Sequence, residues 1–188
     1  MSATGLLLHI CCAPDAAYVA PLLTPDYKVT GFFYNPNIDH EAEYLLRLEE
    51  TRRVAPAAGF VLEDGPYEPD RFEAMARPWA GEPEKGRRCA ICYAMRLDRT
   101  ARRAVDLGLP VFATVMSISP WKDAALLNRI GTRLGRKYGL RFLEADFKKK
   151  DGFRKSVEVS RRLGLYRQDY CGCRFSRRPE RPARESKP

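Results

Sequence analysis

Six cysteines fall into three pairs, Cys11-Cys12, Cys89-x-x-Cys92 and Cys171-x-Cys173, with none left over. A chain that uses cysteine as a small core residue spreads it singly along apolar faces. Pairs with zero, two and one intervening residues mean that something holds the sulfurs together, and metal ligation is the chemistry that needs such spacing. Cys-x-x-Cys brings two thiolates to one site and is the common local spacing for zinc and for iron–sulfur centres. Here it opens a helical stretch, whose positive end favours thiolates. Four thiolates complete either a zinc site or a [4Fe–4S] cluster, but six exceed what one structural zinc uses. A Cys-x-Cys pair can close a disulfide, although the ring is small and strained, and strain makes it easy to reduce. Cys171 and Cys173 therefore suit an electron relay or a second metal better than a structural staple. Asp15 follows Cys12 by three residues, beyond Pro14. Its carboxylate reads equally as a ligand to a second, harder metal with an open position or as a helix cap. Only two histidines exist. His9 reads as a core residue and His40 as the start of an exposed helix, so a mixed Cys/His zinc site has few candidates.

Basic residues gather near this chemistry. The formal charge is +9, which favours a polyanionic partner, nucleic acid first. Lys148, Lys149 and Lys150 follow a predicted strand; Arg154 comes next, and Arg174 opens a basic C-terminal stretch. Phe147, Phe153, Tyr166, Tyr170 and Phe175 are interleaved, a pattern that suits RNA, whose unstacked bases pack on rings. The Phe residues read mainly as core. The run from Gly5 to Ala13 is too short to cross a bilayer and lacks the basic flank of a signal peptide. The expectation is a cytoplasmic protein with no membrane partner, where thiols stay reduced.

The elements that position these groups alternate. Strands are predicted at Leu6–Ile10, Val29–Tyr34, Phe60–Leu62, Val111–Val115 and Arg141–Leu143. Helices are predicted at Asp15–Leu23, His40–Ala58, Pro69–Trp79 and Cys89–Leu107, with Leu97, Ala101, Ala104 and Val105 on one face of the last. A further helix opens at Ser119-Pro120, and another, capped by Asp151, runs to Leu163. This order argues for one α/β domain over residues 1–175, with a mostly parallel sheet flanked by helices and a basic tail over 176–188. Ligands in such folds sit at the carboxyl ends of strands, and Cys11-Cys12 lies directly after the first one.

The segments LLLHICCAPD, GFFYNPNI, CxxCYAMRL and DFKKKDGFRKSVEVSRRLGLYRQDYCGC resemble the QueH family of epoxyqueuosine reductases over about Leu6 to Phe175. Many members of that family carry a further cysteine where this chain has Asp15. The resemblance implies a HUP-like α/β fold with an iron–sulfur site at the strand rim. It implies cobalamin-independent, two-electron removal of the epoxide oxygen of epoxyqueuosine at the wobble position of tRNA, the last step to queuosine. The implied partners are tRNAs with a GUN anticodon (Asp, Asn, His, Tyr) and an electron donor that the sequence does not identify. The implied cofactors are a [4Fe–4S] cluster on Cys11, Cys12, Cys89 and Cys92 and a second, mononuclear iron. Cys171 and Cys173 then serve as a redox pair or hold that iron with Asp15. Tyr34, Lys122 and Asp146 are the candidate proton donors.

Two alternatives compete. A tRNA sulfur-transfer enzyme pairs an α/β fold with a cluster, but it needs a phosphate-binding loop after the first strand, where this chain has His9-Ile10-Cys11-Cys12-Ala13-Pro14. A zinc-stabilised RNA-binding module explains the charge and four cysteines, not six.

Overall fold

A computed structural model describes residues 3–176. Its centre is a five-stranded, all-parallel sheet of β1 (Thr4–Ile10), β2 (Tyr27–Phe33), β3 (Val61–Asp64), β4 (Val111–Thr114) and β5 (Arg141–Phe142) in the order β3-β2-β1-β4-β5. Parallel strands need crossovers, supplied by α1 (Ala13–Leu23), α2 (Glu41–Val54), α3 (Pro69–Ala76), α4 (Arg87–Asp106) and α5 (Ala124–Tyr138), while α6 (Gly152–Arg162) follows the last strand. β1 is central, so both its faces are buried, which is why it reads as an unbroken apolar run. Leu6, Leu8 and Ile10 pack into one core with α1 and α2. Leu7 faces the other way, into a core built largely from α4. α6 packs on α1, and α5 on α4.

The strand order reverses direction between β1 and β4. That switch point opens a crevice at the carboxyl ends of the strands, and the chain leaves β1 there with Cys11 and Cys12.

The alternation was legible in the residues, but several boundaries move. No helix opens at Ser119-Pro120. The Ser119 hydroxyl accepts from the Trp121 amide at 3.3 Å and closes a turn, and Asp123 caps α5 by accepting from the Leu126 amide at 2.9 Å. Asp151 does precede α6, but with φ +61° and no capping hydrogen bond; its carboxylate pairs with Arg154 instead. Val105 is 48 % exposed, at the edge of the buried face of α4 rather than on it. A short 3-10 turn, Arg174–Ser176, packs against the domain. The rest of the predicted basic tail lies outside the described residues.

Candidate metal and substrate site

The first sulfurs are placed by a sharp passage from β1 to α1. Cys12 is the N-cap of α1, in extended conformation, and Pro14 sits in the first turn, where a missing amide hydrogen costs nothing. Asp15 is one turn in. The Cys11 thiol donates to Asp15 Oδ2 at 3.3 Å, and the two sulfurs lie 3.9 Å apart. One ligand atom from each of Cys11, Cys12 and Asp15 falls within 4.8 Å of the others, the one such group among the described residues. The Asp15 carboxylate is thus turned to the thiols, with burial pushing its pKa up against the two thiol hydrogen bonds. The Cys11 thiol is held well above its ordinary range by Cys12 beside it and by burial.

The other four cysteines meet round a second, small cavity lined also by Lys122 and Ser176. Cys89 and Cys92 are one turn apart on the buried face of α4. Burial raises the Cys92 thiol pKa, so desolvation outweighs any help from the helix end. Cys171 and Cys173 arrive on a turn docked against the loop after β2. Asn37 Nδ2 donates to the Cys171 carbonyl at 2.8 Å, and the Asp39 amide to the Gly172 carbonyl at 3.1 Å. Gly172 has φ +98°, and a Cβ there would lie 2.7 Å from Ile38 Cγ1. The spacing Cys-Gly-Cys is therefore a backbone requirement. Cys171 is held well below the usual thiol range, first by the hydrogen bond from Cys173, then by Lys122 and Ser176 Oγ at 2.9 Å. Cys173 is pushed up in turn, by its bond to Cys171 and by burial. All six cysteines are free thiols, and no disulfide joins Cys171 to Cys173.

The larger cavity touches both Cys11 and Cys171, and within it the sulfurs fall into two neighbourhoods. Cys11 and Cys12 go with Asp15, and Cys89 and Cys92 go with Cys171 and Cys173. A guanidinium bridges the two groups. Arg96, only 2 % exposed, donates to Cys92 Sγ at 3.8 Å, to His9 Nε2 at 3.2 Å and to Asn35 Oδ1. His9 is fully buried, with Nδ1 at 2.9 Å from Thr114 Oγ1. Nε2 also lies 3.1 Å from the Tyr34 carbonyl oxygen, so both ring nitrogens are engaged. Burial and the Arg96 charge keep this ring neutral, so His9 is a core residue that orients a cation.

A cavity of about 130 Å³ opens over these groups. Cys11, Asp15, Arg96, Lys122 and Cys171 form its floor, while Trp121, Phe153, Arg167, Gln168 and Tyr170 line its walls. Trp121 is 51 % exposed. Gln168 Oε1 is buried with no hydrogen-bond partner among the described residues. Of the proton-donor candidates, Lys122 lines this cavity. Tyr34 gives its hydroxyl to Glu68 at 2.8 Å, and Asp146 pairs with Lys148 at 2.7 Å. The expected basic contacts are partly spent: Lys148 on Asp146, Arg154 on Asp151 and Glu158, and Arg174 on Glu73. Lys149 and Lys150 are exposed. Arg96, Trp121, Arg167 and Gln168 were missed from the sequence. The arginine one turn beyond Cys92 on the same helix face was a signal that could have pointed to Arg96.

Comparison with known proteins decides the family. A family model described as epoxyqueuosine reductase QueH matches residues 6–179. The chain belongs to the QueH family. QueH proteins of Streptococcus pyogenes and Haemophilus influenzae are 36 % and 38 % identical to it, over 92 % and 96 % of this chain and 70 % and 74 % of their own length. The QueH of Thermotoga maritima is 35 % identical over 91 % of this chain and 89 % of its own length. Each is named an epoxyqueuosine reductase.

Proposed function

We propose that this chain reduces epoxyqueuosine at the wobble position of tRNA to queuosine. The epoxide oxygen leaves as water after two electrons and two protons are added, and a carbon–carbon double bond remains. Membership of a family whose relatives bear that activity supports the reaction. The observation in this molecule that carries it is the pair of cations at the cavity floor. Arg96 is buried and Lys122 half-buried, and no carboxylate among the described residues lies within ion-pair distance of either. A buried cation without a counter-anion costs several kcal/mol. Thiols surround both: burial works against their charge, yet Cys92 and Cys11 beside Arg96, and Cys171 beside Lys122, hold each pKa up. A floor built this way is complete when the sulfurs are thiolates on metal.

The two sulfur groups fit two different metal groups. Two thiolates on one tetrahedral ion at about 2.3 Å sit about 3.8 Å apart, close to the 3.9 Å between Cys11 and Cys12. With Asp15 they make a three-ligand set that leaves one position open, suited to a mononuclear iron. No three of Cys89, Cys92, Cys171 and Cys173 come within 4.8 Å of one another among the described residues. That spread is too wide for one tetrahedral ion and suits a [4Fe–4S] cluster, which Cys-only ligation favours. When bound, the cluster supplies electrons one at a time and the iron a Lewis acid for the developing oxygen anion.

The chain's own side chains do the rest. Lys122 keeps its proton and brings a positive charge to the cavity floor, where negative charge develops on the departing oxygen. Trp121, Phe153 and Tyr170 offer apolar walls to a base, and Gln168 Oε1 accepts from one of its donors. The parallel order β3-β2-β1-β4-β5 supports the HUP-like assignment. No helix of the described residues is long and apolar enough to cross a membrane, which fits a tRNA-modifying enzyme of the cytoplasm.

The test is anaerobic. Reconstituted protein, a chemical reductant and tRNA carrying epoxyqueuosine are combined, and the digested tRNA is searched for queuosine by mass. Queuosine formed only with protein and reductant is the expected result. A brown, iron-loaded sample that forms none refutes the substrate, and a colourless, zinc-loaded one that binds RNA without turnover favours the binding module.

A further inference from the structure

Three exposed arginines, Arg129, Arg133 and Arg136, run along the outer face of α5. Their spacing of four and three residues puts them in an arc of about 60° over about 10 Å of helix. α5 contains no aspartate or glutamate. Of the other exposed arginines, Arg52, Arg53, Arg102, Arg154 and Arg174 pair with carboxylates, whereas Arg161 and Arg162 on α6 do not among the described residues. The three on α5 pair with none among the described residues. They line an open groove of about 510 Å³ with Asn128 and Thr132. Glu144 lies across it and accepts the Thr132 hydroxyl at 2.7 Å. Like charges one turn apart destabilise a helix by a few tenths of a kcal/mol. The helix dipole repays this for Arg136 in the last turn, but nothing in the fold repays it at Arg129 and Arg133.

We propose that this face is a docking surface for the sugar–phosphate backbone of the RNA whose wobble nucleotide enters the cavity. The proposal rests on the tRNA reading above and adds where the arm lies. Trp121 and Lys122 line the cavity, and the chain passes straight from them to Asp123, the cap of α5. A 15-residue helix then carries the surface about 22 Å away from the cavity. An arm that delivers one nucleotide to the cavity must cross the adjoining surface, and α5 offers it three cations against a single carboxylate, Glu144, in their groove.

Counterion release makes this measurable. Each phosphate neutralised contributes about 0.7–0.9 to the slope of log affinity against log salt. Binding of the full chain to an in vitro tRNA transcript with a GUN anticodon is measured by anisotropy from 50 to 200 mM salt. Replacing Arg129, Arg133 and Arg136 together by Gln is expected to lower the slope by about 2–3, so that the natural chain loses about 20- to 40-fold more affinity across that range than the variant. The triple Arg→Lys variant keeps the slope. Lys155, Arg161 and Arg162 changed to Gln on α6, which packs on α1 rather than α4, serve as an equal-charge control with a smaller effect. A triple Gln variant with the natural slope, or an α6 control with the same loss, overturns the docking surface while leaving the tRNA reading intact. A natural chain that does not bind the transcript overturns both.

Discussion

Gly172→Ala tests how the second sulfur group is built. Alanine at φ +98° is strained by about 1–3 kcal/mol. Its Cβ would also meet Ile38 Cγ1 at 2.7 Å, and the neighbouring Ile38 Cα at 3.3 Å limits relief. The turn is held by Asn37 on the Cys171 carbonyl, the Asp39 amide on the Gly172 carbonyl and Arg47 Nη2 on the Tyr170 carbonyl at 3.3 Å. Three such bonds contribute about 0.5–1.5 kcal/mol each, the same size as the strain. The turn should therefore detach locally before the domain unfolds. A cost of about 2.5 kcal/mol raises the open population about 70-fold. In the metal-free protein, alkylation of Cys171 and Cys173, followed by mass, should speed up by about that factor while Tm falls by only a few degrees. Iron bound per chain after anaerobic reconstitution should fall with it. Natural alkylation rates and full iron in the variant would refute the argument that glycine is required and that this turn supplies two of the ligands.

Three further outcomes follow from the same geometry. In metal-free protein, Lys122→Met should move the alkylation profile of Cys171 to higher pH, because Lys122 is among the groups that lower that thiol's pKa. Since the folded pKa is the lower one, the Cys171 thiolate contributes stability above its unfolded pKa and loses it as pH falls through the folded one; thermal scans check this. His9, kept neutral by burial and Arg96, should make the apo protein less stable as pH falls below about 6.5, by up to about 1.4 kcal/mol per unit, and His9→Gln should flatten that slope. Trp121→Ala should raise KM for tRNA by about 10- to 100-fold if the ring stacks on a base, worth about 1–3 kcal/mol, with Trp121→Phe recovering most of the loss.

Much of this was legible because local rules govern it. The apolar run Leu6–Ile10 could only be a strand buried on both faces, and the cysteine pairs marked the chemistry at once. What moved or stayed open was decided by competing neighbours or by the docking of distant segments. Ser119-Pro120 carries good helix-start chemistry, but Asp123 caps better and the cavity wall needs the turn. The grouping of the sulfurs depends on where the Cys171–Cys173 turn docks, and its anchors, Asn37 and Asp39, lie more than 130 residues earlier. Spacing along the sequence cannot encode that. The basic cluster at Lys148–Lys150 and Arg154 stood out by composition, yet the carboxylates that engage two of its members, Asp146 and Asp151, stand beside it in the same sequence.

Arg96 explains why metal and fold are coupled. A guanidinium at about 4 Å from a thiolate gains about 4 kcal/mol at an effective dielectric near 20. Next to a neutral thiol it gains little of this and still bears the cost of burial. Cys92 is driven towards the neutral thiol by that same burial, so the metal-free protein keeps an uncompensated cation in its core, held by His9 and Asn35. Loading the sulfurs as thiolates supplies the missing anion. Metal binding should therefore stabilise the natural chain more than Arg96→Gln, in which the cation is gone and only the amide remains to meet His9 and Asn35. The difference in Tm gain on reconstitution, measured with matched iron content, reads this coupling directly. An equal gain in both proteins would mean that Arg96 is balanced by something other than the thiolates.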